Sequence, residues 1–295
     1  MPHAGELPGL AVGQCAVCNA SATDHNVMLR QCANCHNVQY CSRTCQRADW
    51  RQHKQVCGFT PSTFSGPASA SSTTATARDA RQSRPNITLL SLEKESFFDE
   101  MFSEVTSALR AGANVKEINT KDAARAMFSS QSKPDIILVT DAALTNKEFA
   151  PMLDMAVDYV HQGGTLIFMA HFPSFARPPR IKKLFQAFGS PWQSGDYHRT
   201  THHLNNSMSR FDTSKLDSAY SQKALHLQNV ERADAIYLPT ASSHTESMVF
   251  PDTVGDRRQT PAAFGPCLRG MLGYLGDVNE EKGTDKVVLA MCGLA

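Results

Sequence analysis

Eight regularly spaced candidate ligands, seven cysteines and a histidine, crowd the first 57 residues: Cys15, Cys18, Cys32, Cys35, Cys41, Cys45, His53 and Cys57. They fall as two C-x2-C pairs, a C-x3-C pair and an H-x3-C pair, so each ligand has a partner within about one turn of chain. Thiolate sulfur and imidazole nitrogen at such spacing suit tetrahedral zinc, and eight ligands complete two sites for two zinc ions. Only Cys267 and Cys292 of the nine cysteines lie elsewhere. Both sites are full, so neither keeps the open position that a catalytic zinc needs for bound water. A disulfide framework is the competing reading of a cysteine-dense segment. It needs an oxidising compartment, and the opening MPHAGELPGLAVGQ has no basic region followed by an apolar core to direct export.

The chain has 295 residues, enough for one sizeable core plus a small module. Its formal net charge is +1, and no apolar stretch approaches the roughly 20 residues that cross a bilayer, so the expectation is an intracellular protein of nucleus or cytoplasm with no membrane partner. Within residues 1–58 five cations face three carboxylates. Seven thiolates and two zinc ions would bring that segment to a charge of about −1, a poor match to phosphate, which argues against direct nucleic-acid binding and for a protein ligand.

The elements that must position these residues divide into three stretches. Residues 1–58 carry the ligands, with Ser42 as a good N-cap for a helix that sets Cys41 and Cys45 a turn apart, and His53 and Cys57 likewise. Residues 59–85 are rich in Ser, Thr and Ala, with Phe59 and Phe64 the only large apolar side chains, and read as a disordered linker. From Asn86 short apolar runs alternate with amphipathic segments. The pattern predicts strands at 87–92, 114–118, 135–140 and 165–169, with helices from Phe97 to a Gly112 stop, over 121–128 and over 146–161. That β-α-β order implies a mostly parallel sheet with helices on both faces. A helix is expected near 180–188, opened by Pro178-Pro179 within the basic run RPPRIKK. Further strands are expected at 197–204, 224–227, 235–238, 247–250, 262–264, 271–275 and 286–291.

The ligand pairs come with Tyr40-Cys41-Ser42, Cys45-Gln46 and Asp49-Trp50. Together these closely resemble the MYND zinc finger over residues 15 to 57, with all eight ligands matched. Spacing by itself permits sequential or interleaved pairing. The resemblance implies interleaved sites, Cys15, Cys18, Cys41 and Cys45 on one zinc and Cys32, Cys35, His53 and Cys57 on the other. It also implies a docking module for a proline-containing peptide of a partner protein, with Gln46 and Trp50 as the contacting residues. Trp50 offers a flat apolar face to a proline ring, or else covers the zinc-bound helices.

MYND fingers are frequently joined to a SET methyltransferase, but residues 86–295 hold no Asn-His-Ser-Cys segment and their β-α-β order does not resemble that fold. Residues 86–295 instead resemble the flavodoxin-like domains of class I glutamine amidotransferase-like and ThuA-like proteins, through Gly163 to Phe168 and Gly273 to Asn279. Such amidotransferases need a nucleophilic cysteine on the sharp turn after a strand, where this chain reads Met169-Ala170-His171-Phe172-Pro173-Ser174. Glutaminase chemistry is therefore not expected, and no Gly-x-Ser-x-Gly elbow surrounds Ser174. Strand alternation sets His198 and His202 on one face, with Thr200 between them and His203 next along the chain. The leading reading is a zinc-dependent interaction adaptor whose amidotransferase-like domain lacks its nucleophile. The alternative is an enzyme or small-molecule-binding protein using the carboxyl ends of the strands, near Asp141, His171 and His198.

Overall fold

The computed structural model describes residues 14–18, 20–21, 29–32, 38–53, 84–246 and 252–295. The chain divides into two compact units, residues 1–78 and 79–295. The expected linker over 59–85 lies outside the described residues except for Arg84 and Pro85.

In the first unit β1 (Arg30–Gln31) pairs antiparallel with β2 (Gln39–Tyr40), and α1 (Arg43–His53) follows directly. Ser42 caps that helix as its sequence predicts, its hydroxyl accepting from the Cys45 amide at 3.2 Å. The small core holds Cys15, Cys32, Val38 and Tyr40. The apolar side chains buried among the described residues are too few to hold this unit by hydrophobic burial alone.

The second unit begins with β3 (Asn86–Leu90), α2 (Phe98–Met101), α3 (Ser103–Gly112), β4 (Asn114–Ile118), α4 (Lys121–Ser129) and β5 (Ile136–Val139). Next come α5 (Ala150–His161), β6 (Thr165–Phe168), α6 (Phe172–Phe175), α7 (Pro178–Ala187), β7 (Gln193–Leu204), β8 (Ala219–Gln228) and β9 (Tyr237–Leu238). The chain closes with β10 (Ala262–Cys267), β11 (Gly270–Leu275) and α8 (Lys282–Met291). Six strands form one sheet in the order β10-β11-β6-β5-β3-β4, all parallel except β10. Numbered by appearance the parallel strands run 2-1-3-4-5, which is the flavodoxin-like order.

Alternation along the buried strands builds the two cores. Ile137, Val139, Leu166 and Phe168 pack under α4, α5 and α7, while Ile136, Leu138 and Ile167 pack under α3 and α8. Helices therefore cover both faces, the arrangement that near-continuous apolar strands require. A second sheet, in the order β8-β7-β9, comes from the less regular half of the chain.

Three expectations change, and a fourth is not tested. Residues 286–291 belong to α8, because Thr284, Val287, Val288 and Met291 recur at helical spacing and all are buried. The helix from Phe97 is broken at Phe102, and Gly112 lies within α3, where its missing side chain leaves room for Leu294 instead of turning the chain. The segment before Pro151 winds as two short 3-10 turns ahead of α5. The strand expected at 247–250 lies outside the described residues.

Candidate functional site

Four sulfurs converge in the first unit. The loop at 15–18 brings Cys15 and Cys18 beside Cys41, which precedes α1, and Cys45 in its first turn. The Sγ atoms all lie within 4.8 Å of one another, with Cys18 to Cys41 at 3.3 Å and Cys41 to Cys45 at 3.5 Å. A zinc tetrahedron with Zn–S of about 2.3 Å has sulfur-to-sulfur edges of about 3.8 Å, so this donor set fits zinc. This cluster joins the first and third of the four sequence pairs, Cys15 with Cys18 and Cys41 with Cys45. No cysteine among the described residues is in a disulfide.

The electrostatics of the cluster suit a central dication. Burial works against ionisation of Cys15, yet backbone N–H groups of Cys18, Cys41 and Val17 converge on its sulfur and bring its pKa down to about 6. The Cys18 and Cys45 sulfurs, crowded against Cys41, push that thiol up to about 12. Four thiolates this close together need a dication to neutralise them.

Of the other four residues expected to bind metal, Cys32 and His53 are buried, whereas Cys35 and Cys57 lie outside the described residues. The His53 ring meets the ring of Tyr40 edge-on at 6.1 Å, and the Tyr40 hydroxyl donates to Asp49 at 2.7 Å. Sequence reasoning missed this Tyr40–Asp49 tie between β2 and α1. Gln46 is half-buried on α1; Trp50 lies on the same helix, with its side chain outside the described residues.

In the second unit, the turn after β6 places Ala170 at φ 57, a left-handed conformation that disfavours any side chain. This sharp strand-to-helix turn has the geometry of a nucleophile elbow, and its strained position holds a methyl group. The amide of the following residue, which in such elbows faces the developing oxyanion, here donates from His171 to the Thr140 carbonyl at 2.9 Å. His171 is itself 3% exposed, packed among Phe97, Phe98, Phe102 and Phe175, with neither ring nitrogen hydrogen-bonded. Ser174 is exposed and makes no bond to that ring. Asp141 accepts from the amides of Glu93 and Ala143; burial raises its pKa against those bonds, and the charges of Glu93 and Glu95 add to the rise. Asp141, His171 and His198 are therefore not joined by hydrogen bonds.

The histidines of β7 have another partner. His198 and His202 share a face as alternation predicts and His203 is exposed, while His226, which no spacing in the chain links to them, enters from β8. His198 stacks on His226 at 4.3 Å between ring centroids, and His202 Nε2 lies 2.8 Å from His226 Nε2. A register shift between Ser194 and Tyr197 turns the Asp196 carbonyl to within 2.9 Å of His226 Nδ1. His226 therefore donates from Nδ1, accepts at Nε2 from His202, and leaves His202 Nδ1 bare, which is the atom with no partner. Burial first, and then the neighbouring imidazoles, lower the pKa of His226 to about 4 and that of His202 to about 2.

Comparison with known proteins follows the same division. The MYND finger family profile matches residues 15–57. The zinc finger MYND domain-containing protein 10 homolog of Drosophila melanogaster is 51% identical over 43 residues, which are 15% of this chain and 8% of that protein. The chain thus matches only a small part of the length of this curated relative. Among solved structures, a ThuA-like protein from Bacteroides uniformis covers 74% of this chain, with 94% of its own length aligned, at 11% identity and a TM-score of 0.48. A ThuA-like protein from Parabacteroides merdae covers 71%, with 88% of its own length aligned, at 11% identity and 0.44. A β-galactosidase from Bacillus circulans covers 72% at 11% identity and 0.44, with 31% of its own length aligned. Residues 15–57, with their four-sulfur centre, are a MYND-type finger, a zinc-binding protein-interaction module.

Proposed function

We propose that this protein is a zinc-dependent interaction adaptor with a finger over residues 1–58, a linker over 59–85 and a catalytically degenerate α/β domain over 86–295. The finger holds two zinc ions, one on Cys15, Cys18, Cys41 and Cys45 and one on Cys32, Cys35, His53 and Cys57. Gln46 and Trp50 dock a proline-containing peptide of a partner. The carrying observation is the four-sulfur cluster, because Cys41 and Cys45 anchor the start of the helix that bears both docking residues. Two features support the absence of acyl-transfer chemistry at the elbow: Ala170 has no nucleophile, and the His171 amide is already engaged by Thr140.

The test is capture of proline-containing peptides by the full chain, with and without a zinc chelator. Chelation should abolish capture. Trp50→Ala should weaken it by about 10-fold or more while leaving the zinc content unchanged. Capture that survives both perturbations would remove the finger as the docking site.

A further inference from the structure

A cavity of about 500 Å³ opens at the amino end of the main sheet, where the end of α5, the end of α7 and the turn between β10 and β11 meet. The Ala170 turn follows the carboxyl end of β6, so the cavity is separate from it. Buried Phe188, Trp192 and Leu272 form its apolar wall, and Leu268 stands at its rim. The volume falls within the range of small-molecule sites, about 300–1,000 Å³.

Two features of this cavity have no explanation in packing. Trp192 is 5% exposed and its ring meets Phe185 edge-on at 5.4 Å, yet its indole N–H has no acceptor among the described residues. A buried tryptophan N–H usually finds one. That nitrogen is not among the fully buried atoms without a partner, so it is open to solvent, and the space beside the ring is the cavity. The wall's other polar group is already satisfied, because the Phe188 carbonyl accepts from Cys267 Sγ at 3.2 Å and from His161 Nε2 at 3.3 Å. The second feature is Leu268, held at φ 51 and 76% exposed. Gly or Asn would make the same turn without backbone strain and without showing an apolar side chain to water, so the position keeps leucine at a double cost.

We propose that this cavity binds a small, neutral and mainly apolar molecule that carries one hydrogen-bond acceptor, such as a ketone. The acceptor takes the Trp192 N–H, the apolar body lies against Phe188 and Leu272, and Leu268 covers it from the rim. Each unexplained feature then has a use: the indole N–H gains its partner, and the leucine side chain leaves water. Charge selects against an anionic acceptor. Glu231 lines the cavity, is exposed and forms no ion pair among the described residues, whereas the charge of Asp234, also on the wall, is matched by Arg210 at 2.8 Å. A carboxylate brought to Trp192 would meet the uncompensated charge of Glu231, and a carbonyl would not.

The chain has two tryptophans, Trp50 and Trp192, so NMR of the full chain with isotope-labelled tryptophan shows two indole N–H signals, which Trp50→Phe assigns. The probes are cyclohexyl methyl ketone and cyclohexanecarboxylate, which share ring and shape and differ in charge. The ketone should move the Trp192 signal downfield, as hydrogen bonding does, and saturate with a Kd of about 1 mM or below. The carboxylate should bind at least about 10-fold more weakly. Leu268→Gly, which keeps the turn and removes only the covering side chain, should weaken ketone binding at least about 5-fold. A Trp192 signal that the ketone leaves in place up to about 10 mM overturns the proposal. So does a carboxylate that binds as tightly as the ketone, or a Leu268→Gly chain that binds the ketone as the wild type does.

Discussion

Lowering the pH from 7 to 5 should remove about 4 kcal/mol of stability through His202 and His226 alone. Both are depressed from an ordinary value of 6.5, to about 2 and about 4. The folded chain therefore keeps both rings neutral at either pH, while the unfolded chain takes up a proton on each below pH 6.5. Stability is then fully present above that value and falls as pH drops toward the folded values. Each ring contributes about 2 kcal/mol over this interval. The geometry explains the resistance to protonation. A proton on His202 Nδ1 would have no acceptor, and one on His226 Nε2 would face the His202 N–H at 2.8 Å. The same sum lost from a typical total of about 5–15 kcal/mol is large.

Denaturant unfolding at the two pH values measures it. The zinc sites also weaken in acid, so the control is the double variant His202→Gln with His226→Gln, which carries the same finger. The wild type should lose about 4 kcal/mol more than the double variant between pH 7 and 5. Equal pH dependence in the two proteins would refute the neutral, hydrogen-bonded pair.

Three further outcomes follow from particular residues. Cys41→Ser should lower the metal content from about two zinc ions per chain to about one, measured by elemental analysis, because a tetrahedral site seldom survives loss of a thiolate. Leu268 stands at φ 51 in the two-residue turn between β10 and β11 and is 76% exposed, so Leu268→Gly should relieve backbone strain and raise stability by about 1 kcal/mol in denaturant titration. Ala170→Cys should place a thiol at the elbow without producing glutamine hydrolysis, measured as ammonia release, since the His171 amide remains bonded to Thr140.

What the sequence disclosed depended on how local the signal was. The four-sulfur centre was legible because its ligands sit in short fixed spacings and in a recognisable motif, and metal chemistry dictates the rest. Strands β3, β5 and β6 were legible because each is largely a run of apolar residues bounded by Gly, Pro or polar turns, whereas the edge strand β4 shows only the alternation of Val115 and Ile118 with polar residues. The strand proposed at 286–291 failed for the same reason that such runs are ambiguous. Val287 to Met291 is equally apolar as strand or helix, and only packing against α3 decides for α8.

The histidine cluster and the elbow were beyond local pattern. Alternation put His198 and His202 on one face, but His226 joins them through a cross-strand register and an irregularity near Asp196 that no spacing encodes. At the turn after β6, the absence of cysteine from residues 169–174 could be read in the chain, but the left-handed Ala170 could not, because alanine gives no hint of positive φ. That the strained turn persists without a nucleophile has a structural reason independent of catalysis. The bend lets the His171 amide close onto Thr140 and starts α6 so that Phe172 is fully buried against Phe168, contacts that offset a strain of about 1–2 kcal/mol at Ala170. A turn held by such packing persists without any nucleophile, so its strained geometry is not by itself a sign of catalysis.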